Sequence, residues 1–284
     1  MIGTSRRDLI KAGGLMALSA GLPATTVKAA SAIPTGDQPM RFDDAQDNLE
    51  ALVRMLCGTD NKIRYTAGYG RAFAILDGEL QVPLFDAKVV AIQRYKRNAD
   101  NSFTRQISFV QYHYTLGGKE DTEWVNPITN EATELPVFKN EFGQVDYNIY
   151  GVVVPEEMQV EGGTRPNTPQ IFPWQIMDDD VWLKKEESAK YFSAREGRRV
   201  IENSIRCYQT KLSELNDRNR PSVSMTMQEF AQSELFDFLK MPEDSKGHMM
   251  WHFVAKKYET RAEVPLDIQA IVDARDPRFW NLID

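Results

Sequence analysis

Apolar positions recur every three or four residues near residue 50 and every second residue from Ile63 onward. The first pattern places four apolar side chains on one helical face: Leu49, Leu52, Val53 and Leu56. We therefore expect a helix here, capped by Asp43 or Asp44 and ended by Gly58. The second pattern is typical of half-buried β-strands, so the rest of the chain is expected to be rich in strands.

Ten segments carry the strand pattern, and turn residues separate several of them. They are Tyr65–Leu76, Ala87–Arg97, Phe103–Thr115, Thr122–Asn126, Ala132–Phe138, Val145–Val154, Val181–Lys185, Arg199–Leu212, Val223–Gln228 and His248–Lys257. Residues Ser233–Leu239 fit either a helical turn or a strand continuation, and both interpretations stay open. Pro265–Ala274 is expected to form a closing helix, because proline occupies its first turn and apolar residues share one face.

The segment Phe103–Thr115 shows the clearest alternation in the chain. One of its faces holds Phe103, Arg105, Ile107, Phe109, Gln111 and His113. About ten strands in hairpin order, with helices near the two ends, predict a mainly β fold. We expect an antiparallel β-barrel or a strongly curved sheet of about ten strands, with peripheral N- and C-terminal helices. A barrel of this size can enclose one small ligand.

The N-terminal segment carries the pattern of an export signal. Arg6 and Arg7, followed by an acidic residue, two apolar residues and Lys11, resemble the twin-arginine export consensus. A short, weakly apolar run follows, and small residues after it offer cleavage behind Ala29 or Ala32. The run is too short to span a bilayer, so no stable membrane anchor is expected.

The chain is expected to comprise a twin-arginine signal peptide at residues 1–32, a linker at 33–42 and a single β-rich domain at 43–284. This predicts a periplasmic protein that uses the twin-arginine export machinery as a partner. The 284 residues carry a formal net charge of −7, which argues against nucleic acid or an anionic lipid surface as a partner. Cys57 and Cys207 either pair in an oxidising compartment or stay free, and both alternatives remain open.

Several landmarks follow one another along the chain. They are a Gly-Tyr-Gly strand that leads to Pro83-Leu84-Phe85, the hairpin Trp124-Val125-Asn126-Pro127-Ile128-Thr129-Asn130-Glu131, and a late strand with Gly247, His252 and Lys256-Lys257. With the export signal, this order resembles the bacterial domain-of-unknown-function family 1838 over most of residues 43–260, and the hairpin is the most specific part. Where that family tends to carry a Pro-Trp-rich segment, this chain has Ser233–Phe238, so pocket chemistry there is expected to differ. The resemblance implies the fold and the export, and no particular activity.

The segment Arg199–Leu212 carries a polar row. Its members are Glu202, Ser204, Arg206, Tyr208 and Thr210. Such a row is either a solvated face over an apolar one or the lining of a ligand cavity in a barrel. In the second interpretation Arg206 binds a carboxylate or phenolate, and Tyr208 acts as an acid or base.

The histidines offer two further candidates. His248 and His252 would suit one metal ion on a helix, but on the predicted strand they lie about 13 Å apart, at about 3.3 Å per residue. We therefore predict no metal site. The second candidate is the segment Tyr112-His113-Tyr114 on a predicted strand. His113 faces away from the two tyrosines, so either His113 or the tyrosine pair enters a pocket.

The sequence lacks a Gly-x-Ser-x-Gly elbow, a strand followed by Gly-x-Gly-x-x-Gly, and a P-loop lysine motif. We therefore expect no organic cofactor. The predicted function is an exported enzyme doing acid–base chemistry, of lyase or isomerase type, on a small aromatic or apolar compound. The alternatives are a non-catalytic carrier of such ligands and a structural envelope protein with a filled interior. The candidate catalytic residues are Tyr208, His252 and His113, and the candidate substrate-binding residues are Arg206, Tyr112 and Trp124. Arg206, Tyr208 and His252 are predicted to face one shared cavity.

Overall fold

The structure is a computed structural model that describes residues 38–118, 123–153, 168–193 and 198–283. The predicted signal peptide and its cleavage sites lie outside the described residues.

The described chain consists mainly of β-strands with a few short helices. The helices are α1 (Ala45–Leu56), α2 (Leu212–Asn216) and α3 (Leu266–Arg275). The strands are β1 (Arg64–Leu76), β2 (Val82–Arg97), β3 (Phe103–Tyr114), β4 (Glu123–Val125), β5 (Ala132–Glu134), β6 (Phe138–Asn148), β7 (Gly151–Val153), β8 (Trp174–Met177), β9 (Asp180–Ser193), β10 (Arg198–Lys211), β11 (Thr226–Glu234) and β12 (Gly247–Tyr258).

Ten of these strands form one antiparallel sheet in the order β7-β6-β3-β2-β1-β12-β11-β10-β9-β8, and β4 and β5 form a separate hairpin. The predicted fold class, a strongly curved antiparallel sheet of about ten strands, is confirmed. Several details differ from the sequence prediction. The strand expected at Val145–Val154 divides into β6, which begins at Phe138, and β7, while β9 extends well beyond Lys185 and β8 was not predicted. The segment Ser233–Leu239, which the sequence left open, contains the end of β11 and a 3₁₀ turn at Asp237–Leu239.

The sheet curls so far that strands distant in its order come together. Tyr147 on β6 and Lys185 on β9 line the same cleft, although six strands lie between β6 and β9 in the sheet. Phe138 on β6 likewise lies 6.1 Å, centroid to centroid, from Trp251 on β12. The inner face of the sheet therefore encloses an interior.

Two glycines on β1 let a neighbouring strand approach closely. A Cβ atom on Gly68 would lie 2.1 Å from the backbone oxygen of Val254, and one on Gly70 would lie 2.2 Å from the Phe253 ring. Real Cβ atoms do not come so close, so any side chain at these positions would push β1 and β12 apart.

Helix α1 closes one end of the interior. Its apolar face packs against buried residues from opposite sides of the curved sheet, including Tyr95, Tyr147, Leu183 and Tyr208. Asp44 caps its first turn, as the sequence predicts, by accepting hydrogen bonds from the backbone N–H groups of Gln46 and Asp47.

Polar side chains of the inner face hold the C-terminal end of α1. The Gln93 amide donates to the Leu56 carbonyl at 2.6 Å, and the Lys257 ammonium donates to the carbonyls of Arg54 and Cys57 at 2.6 and 3.3 Å. A cation suits the partial negative charge at a helix C-terminus. These bonds satisfy carbonyl groups at the end of the helix, where no following turn supplies an N–H donor.

The opposite end of the interior is filled by aromatic side chains. Phe85, Trp124, Phe238 and Trp251 pack there, contributed by β2, the β4–β5 hairpin, the 3₁₀ turn and β12. Helix α3 instead covers the outer face of β2 and β3, where Ile268 and its neighbours bury apolar side chains of those strands. Within the described ranges no helix has the length and apolar character needed to cross a membrane.

Candidate functional site

Between its two apolar ends the interior carries a group of polar and aromatic side chains, which we call the interior polar cluster. Its members are Tyr95, Arg105, Tyr147, Lys185, Glu187, Arg206, Tyr208 and Glu229. Each is held by a strand whose alternation turns it inward, and cross-strand pairing places Lys185, Arg206 and Glu229 side by side on β9, β10 and β11. The polar row predicted on β10 therefore faces the interior and is not a solvated face.

Arg206 is fully engaged with carboxylates. Its Nε donates to Glu229 Oε1 at 2.6 Å and its Nη1 donates to Glu187 Oε2 at 2.5 Å. Glu187 also pairs with Lys185 at 2.5 Å, and its side chain is only 2% exposed. The prediction that Arg206 binds a substrate anion is therefore corrected, because two buried carboxylates of the protein already neutralise it.

Arg105 on β3 is the contrasting case. Its Nη2 donates to Gln93 Oε1 at 2.9 Å and its Nη1 to the Tyr147 hydroxyl at 3.3 Å. Its Nε is buried and has no hydrogen-bond partner. Within the described part of the chain Arg105 forms no ion pair, and its guanidinium carbon lies 5.8 Å from the centre of the Tyr95 ring.

The three interior tyrosines differ in acidity. Burial would raise the pKa of Tyr147, but the charges of Arg105 and Lys185 outweigh that effect and lower it below its ordinary value. Burial raises the pKa of Tyr95 and of Tyr208 well above the ordinary value. Neighbouring phenols whose pKa values are pushed apart can serve as the base and the acid of one proton-transfer reaction.

Three members of the cluster, Tyr147, Lys185 and Glu187, line a gap between the two edges of the sheet. We call this gap the seam cleft. Its lining includes Leu49, Tyr147, Ile149, Phe172, Lys185 and Glu187. The backbone N–H of Gln170 donates to the Ile149 carbonyl at 2.7 Å across it. The cleft spans about 510 Å³ counted to its open mouth, but only about 20 Å³ of it is wide enough for a water molecule.

His252 does not reach the interior. The register pairs it with Phe230 on β11 and Arg71 on β1, which are outward-facing positions. Its ring stacks on the Phe230 ring at 4.5 Å, with 6° between the ring planes. The predicted cavity shared by Arg206, Tyr208 and His252 is therefore wrong for His252, because its position on β12 is out of phase with the inward residues.

Tyr112 and Trp124 are buried in packing contacts away from the interior polar cluster. Tyr112 lies on the outer face of β3, buried beneath α3, and the Arg275 guanidinium lies 5.7 Å from its ring centre. Trp124 is buried at the aromatic end, where its indole N–H donates to the Leu84 carbonyl at 2.9 Å. Neither side chain lies in the polar cluster, so both predicted substrate-binding roles are corrected.

His113 faces the interior, but both of its ring nitrogens have partners. Nδ1 contacts the Pro136 carbonyl, which can only accept, and Nε2 lies 2.7 Å from the Gln111 amide nitrogen. His113 therefore carries its proton on Nδ1 and accepts at Nε2. Packed against Phe85 and Trp251, it fixes the aromatic end and is not a free catalytic base.

Candidate metal ligands do not converge in the described part of the chain, where no three His, Cys, Asp or Glu side chains form a group suited to a metal ion. His248 and His252 lie on strand β12, as the sequence predicts. Cys57 and Cys207 are both free thiols. Cys57 is buried under α1, and Cys207 lies on the outward-facing side of β10, so the unpaired alternative is the observed one.

The sequence indicated Tyr208 but did not single out Arg105, Tyr147 or Tyr95. Arg105 had a detectable signal, because it is the one charged residue on a β3 face otherwise made of apolar, amide and histidine side chains. Tyr147 and Tyr95 had none, because strand propensity alone accounts for tyrosines in such positions.

Comparisons with known proteins add little. No family model matches the chain, and no curated protein matches it. Among solved structures, the chain is similar to the crystal structure of Ail, the attachment invasion locus protein of Yersinia pestis, at 8% identity over 70% of this chain and 100% of that one. The TM-score of that match is 0.21, which carries no argument about fold or function.

Proposed function

We propose that the protein is an exported enzyme that carries out acid–base chemistry without an organic cofactor, of lyase or isomerase type, on a small aromatic or apolar compound. The supporting observation is the pKa split among buried tyrosines: Arg105 and Lys185 lower the pKa of Tyr147, whereas burial raises those of Tyr95 and Tyr208. Perturbed pKa values of buried groups beside a specific charge partner are typical of functional sites.

In this proposal Tyr147, as the phenolate, takes a proton from a carbon next to a carbonyl group of the substrate. The C–H electron pair forms a C=C bond and the carbonyl π pair moves onto the oxygen, which then accepts a hydrogen bond or a proton from Tyr208 or Tyr95. Arg105 stabilises the phenolate before the transfer. In a lyase, collapse of the enolate expels a leaving group. In an isomerase, reprotonation of the enolate at a different carbon completes the reaction.

A non-catalytic carrier of the same ligands is the second candidate. It would use the same seam cleft, which has about 20 Å³ of water-sized space and must widen to admit a ligand. The structural envelope protein would share the filled interior but would bind no small molecule. These three functions differ in two measurable properties, ligand binding and proton transfer.

Proton transfer can be measured without knowing the complete reaction. The full-length mature protein is incubated in D₂O with a panel of small aromatic ketones, and deuterium uptake at the carbon next to the carbonyl is followed by NMR. An enzyme should accelerate uptake for at least one compound, and Tyr147→Phe should slow it by about 100-fold or more. Tyr69→Phe, at a half-exposed position on the outer side, is the matched control and should be unaffected.

The three functions give different results in this assay. Ligand binding without deuterium uptake indicates the carrier, and the absence of both indicates the structural protein. Uptake that Tyr147→Phe leaves unchanged, in protein shown by circular dichroism to be folded, would refute the role proposed for Tyr147.

Export is part of the same proposal and rests on the sequence, because the segment that carries Arg6 and Arg7 lies outside the described residues. Changing both arginines to lysine should trap a precursor in the cytoplasm, whereas the unaltered chain should be found in the periplasm after cleavage behind Ala29 or Ala32. Normal export of the double variant would refute use of the twin-arginine machinery.

A further inference from the structure

The interior polar cluster contains one cation without a carboxylate partner. Arg206 and Lys185 share the two carboxylates of Glu187 and Glu229. Arg105 forms no ion pair in the described ranges. A buried charge without a partner is strongly destabilising, unless a counter-ion binds beside it.

Arg105 also has unused hydrogen-bond donors. A guanidinium has five N–H groups, and in this structure Gln93 and Tyr147 accept two of them. The Nε–H is buried without an acceptor, and the hydroxyl of Tyr95, whose ring lies beside the Arg105 guanidinium, is buried without any hydrogen-bond partner. Two unsatisfied donors beside one buried cation form a receptor for an oxyanion.

We propose that this receptor binds the carboxylate of a small aromatic acid, with Arg105 as the residue that recognises the anion. The inference rests on the proposed function, because it assumes that small molecules reach the cluster. A guanidinium and a carboxylate fit each other through two parallel hydrogen bonds, and the Tyr95 hydroxyl supplies a further donor.

The charge of the site favours a single negative charge. One carboxylate neutralises Arg105, which has no carboxylate partner in the described ranges. A phosphate dianion would leave a net negative charge close to Glu187 and Glu229, which already lie in the same interior. Like charges in a low-dielectric interior repel strongly, so a monoanion is the better match.

The surroundings of the site favour an aromatic body on the acid. Tyr95 and Tyr147 face each other at 5.7 Å between ring centroids, next to Arg105. The seam cleft leads outward from Tyr147 past Leu49, Ile149 and Phe172. A ring attached to the carboxylate would lie among these apolar groups, and the cleft must widen beyond its present width to admit it.

Benzoate and its neutral analogue benzamide test the proposal by isothermal titration calorimetry on the folded mature protein. Benzoate should bind and benzamide should bind at least about tenfold more weakly, because only the anion forms charge-assisted hydrogen bonds with the guanidinium. Arg105→Met should lose benzoate binding by a similar factor. Arg71→Met, which removes an arginine paired with Asp86 on the outer face, should bind benzoate normally.

A second measurement tests the same site by absorbance and does not depend on a heat of binding. The benzoate anion and the Tyr147 phenolate compete for Arg105, so saturating benzoate should shift phenolate formation at 295 nm to higher pH, and binding should weaken as Tyr147 ionises. If Arg105→Met does not fold, Arg105→Lys keeps the charge but loses the planar fork, and it should reduce the benzoate affinity without abolishing it.

Equal binding of benzamide and benzoate, no binding of benzoate, or full benzoate binding by folded Arg105→Met would each overturn the inference. The proposed function is judged separately. Deuterium uptake by neutral ketones without benzoate binding would leave the enzyme and remove the carboxylate receptor. Benzoate binding at Arg105 without any deuterium uptake would keep the receptor and favour the carrier.

Discussion

Arg105 and Arg206 lie in the same interior, yet their replacement should affect stability very differently. Arg206→Met removes the only ion-pair partner of Glu229 in the described chain and one of two partners of Glu187. The side chains of Arg206 and Glu229 are each 12% exposed and that of Glu187 is 2% exposed, so solvent compensates little. Breaking a buried pair in this way costs about 3–5 kcal/mol.

Arg105→Met should cost much less. It removes hydrogen bonds to Gln93 and Tyr147, which are worth about 1 kcal/mol each, but it also removes an unpaired buried charge. These effects oppose each other, so we expect a change of about 0–2 kcal/mol. As a control, Arg71→Met breaks an exposed pair with Asp86 and should cost about 0–1 kcal/mol.

Urea denaturation at pH 7.5, followed by tryptophan fluorescence, measures the three free energies of unfolding. Urea is uncharged and does not screen ion pairs, as guanidinium chloride would. In thermal melts each kcal/mol corresponds to roughly 2–4 °C for a domain of this size.

Equal destabilisation by Arg105→Met and Arg206→Met would refute this reasoning. It would mean that Arg105 has a counter-charge in the folded protein, and the carboxylate receptor would then lose its basis. A stable Arg206→Met variant would show instead that the two glutamates are protonated or hydrated in the interior.

Four further predictions concern single sites. Gly68→Ala should destabilise the protein by more than about 2 kcal/mol in urea, because the new Cβ meets the backbone of β12. Burial lowers the pKa of Lys257 to about 7, so the unfolded chain binds more protons above pH 7, and the free energy of unfolding should rise from pH 7 to 9, less so in Lys257→Met. Tyr147→Phe should remove the phenolate that forms at the lowest pH in a titration at 295 nm. Burial raises the pKa of the Cys57 thiol to about 11, so iodoacetamide should label Cys207 well before Cys57 in folded protein.

The fold was predictable because each local signal agreed with the global arrangement. The period of two along β3 and β10 identified the strands and also sorted their residues into two faces, and the structure preserves that sorting. The short strands were less predictable. β8 (Trp174–Met177) was missed, because four residues give too little alternation to separate a strand from a loop.

The candidate site was predictable only where it depends on one strand. Alternation along β10 placed Arg206 and Tyr208 on one face, but it could not show which residues of other strands stand opposite them. The partners of Arg206 come from β9 and β11. The prediction for His252 was wrong for the same reason. Which face of the sheet His252 shares with residues of β10 depends on the pairing through β11, and alternation within β12 does not determine that pairing.

The contrast between the two arginines bears on why the interior is polar at all. Buried ion pairs such as Arg206 with Glu187 and Glu229 add little stability over apolar side chains of the same volume. Their main effect is therefore to fix the positions of the strands that carry them. The three charged side chains hold the inner faces of β9, β10 and β11 in one arrangement. Arg105 has no such partner, because no carboxylate in the described chain pairs with it, and its hydrogen bonds go to the neutral groups of Gln93 and Tyr147. A buried cation without a carboxylate partner is best explained by its lowering of the Tyr147 pKa and by the donors that it leaves unsatisfied for a ligand.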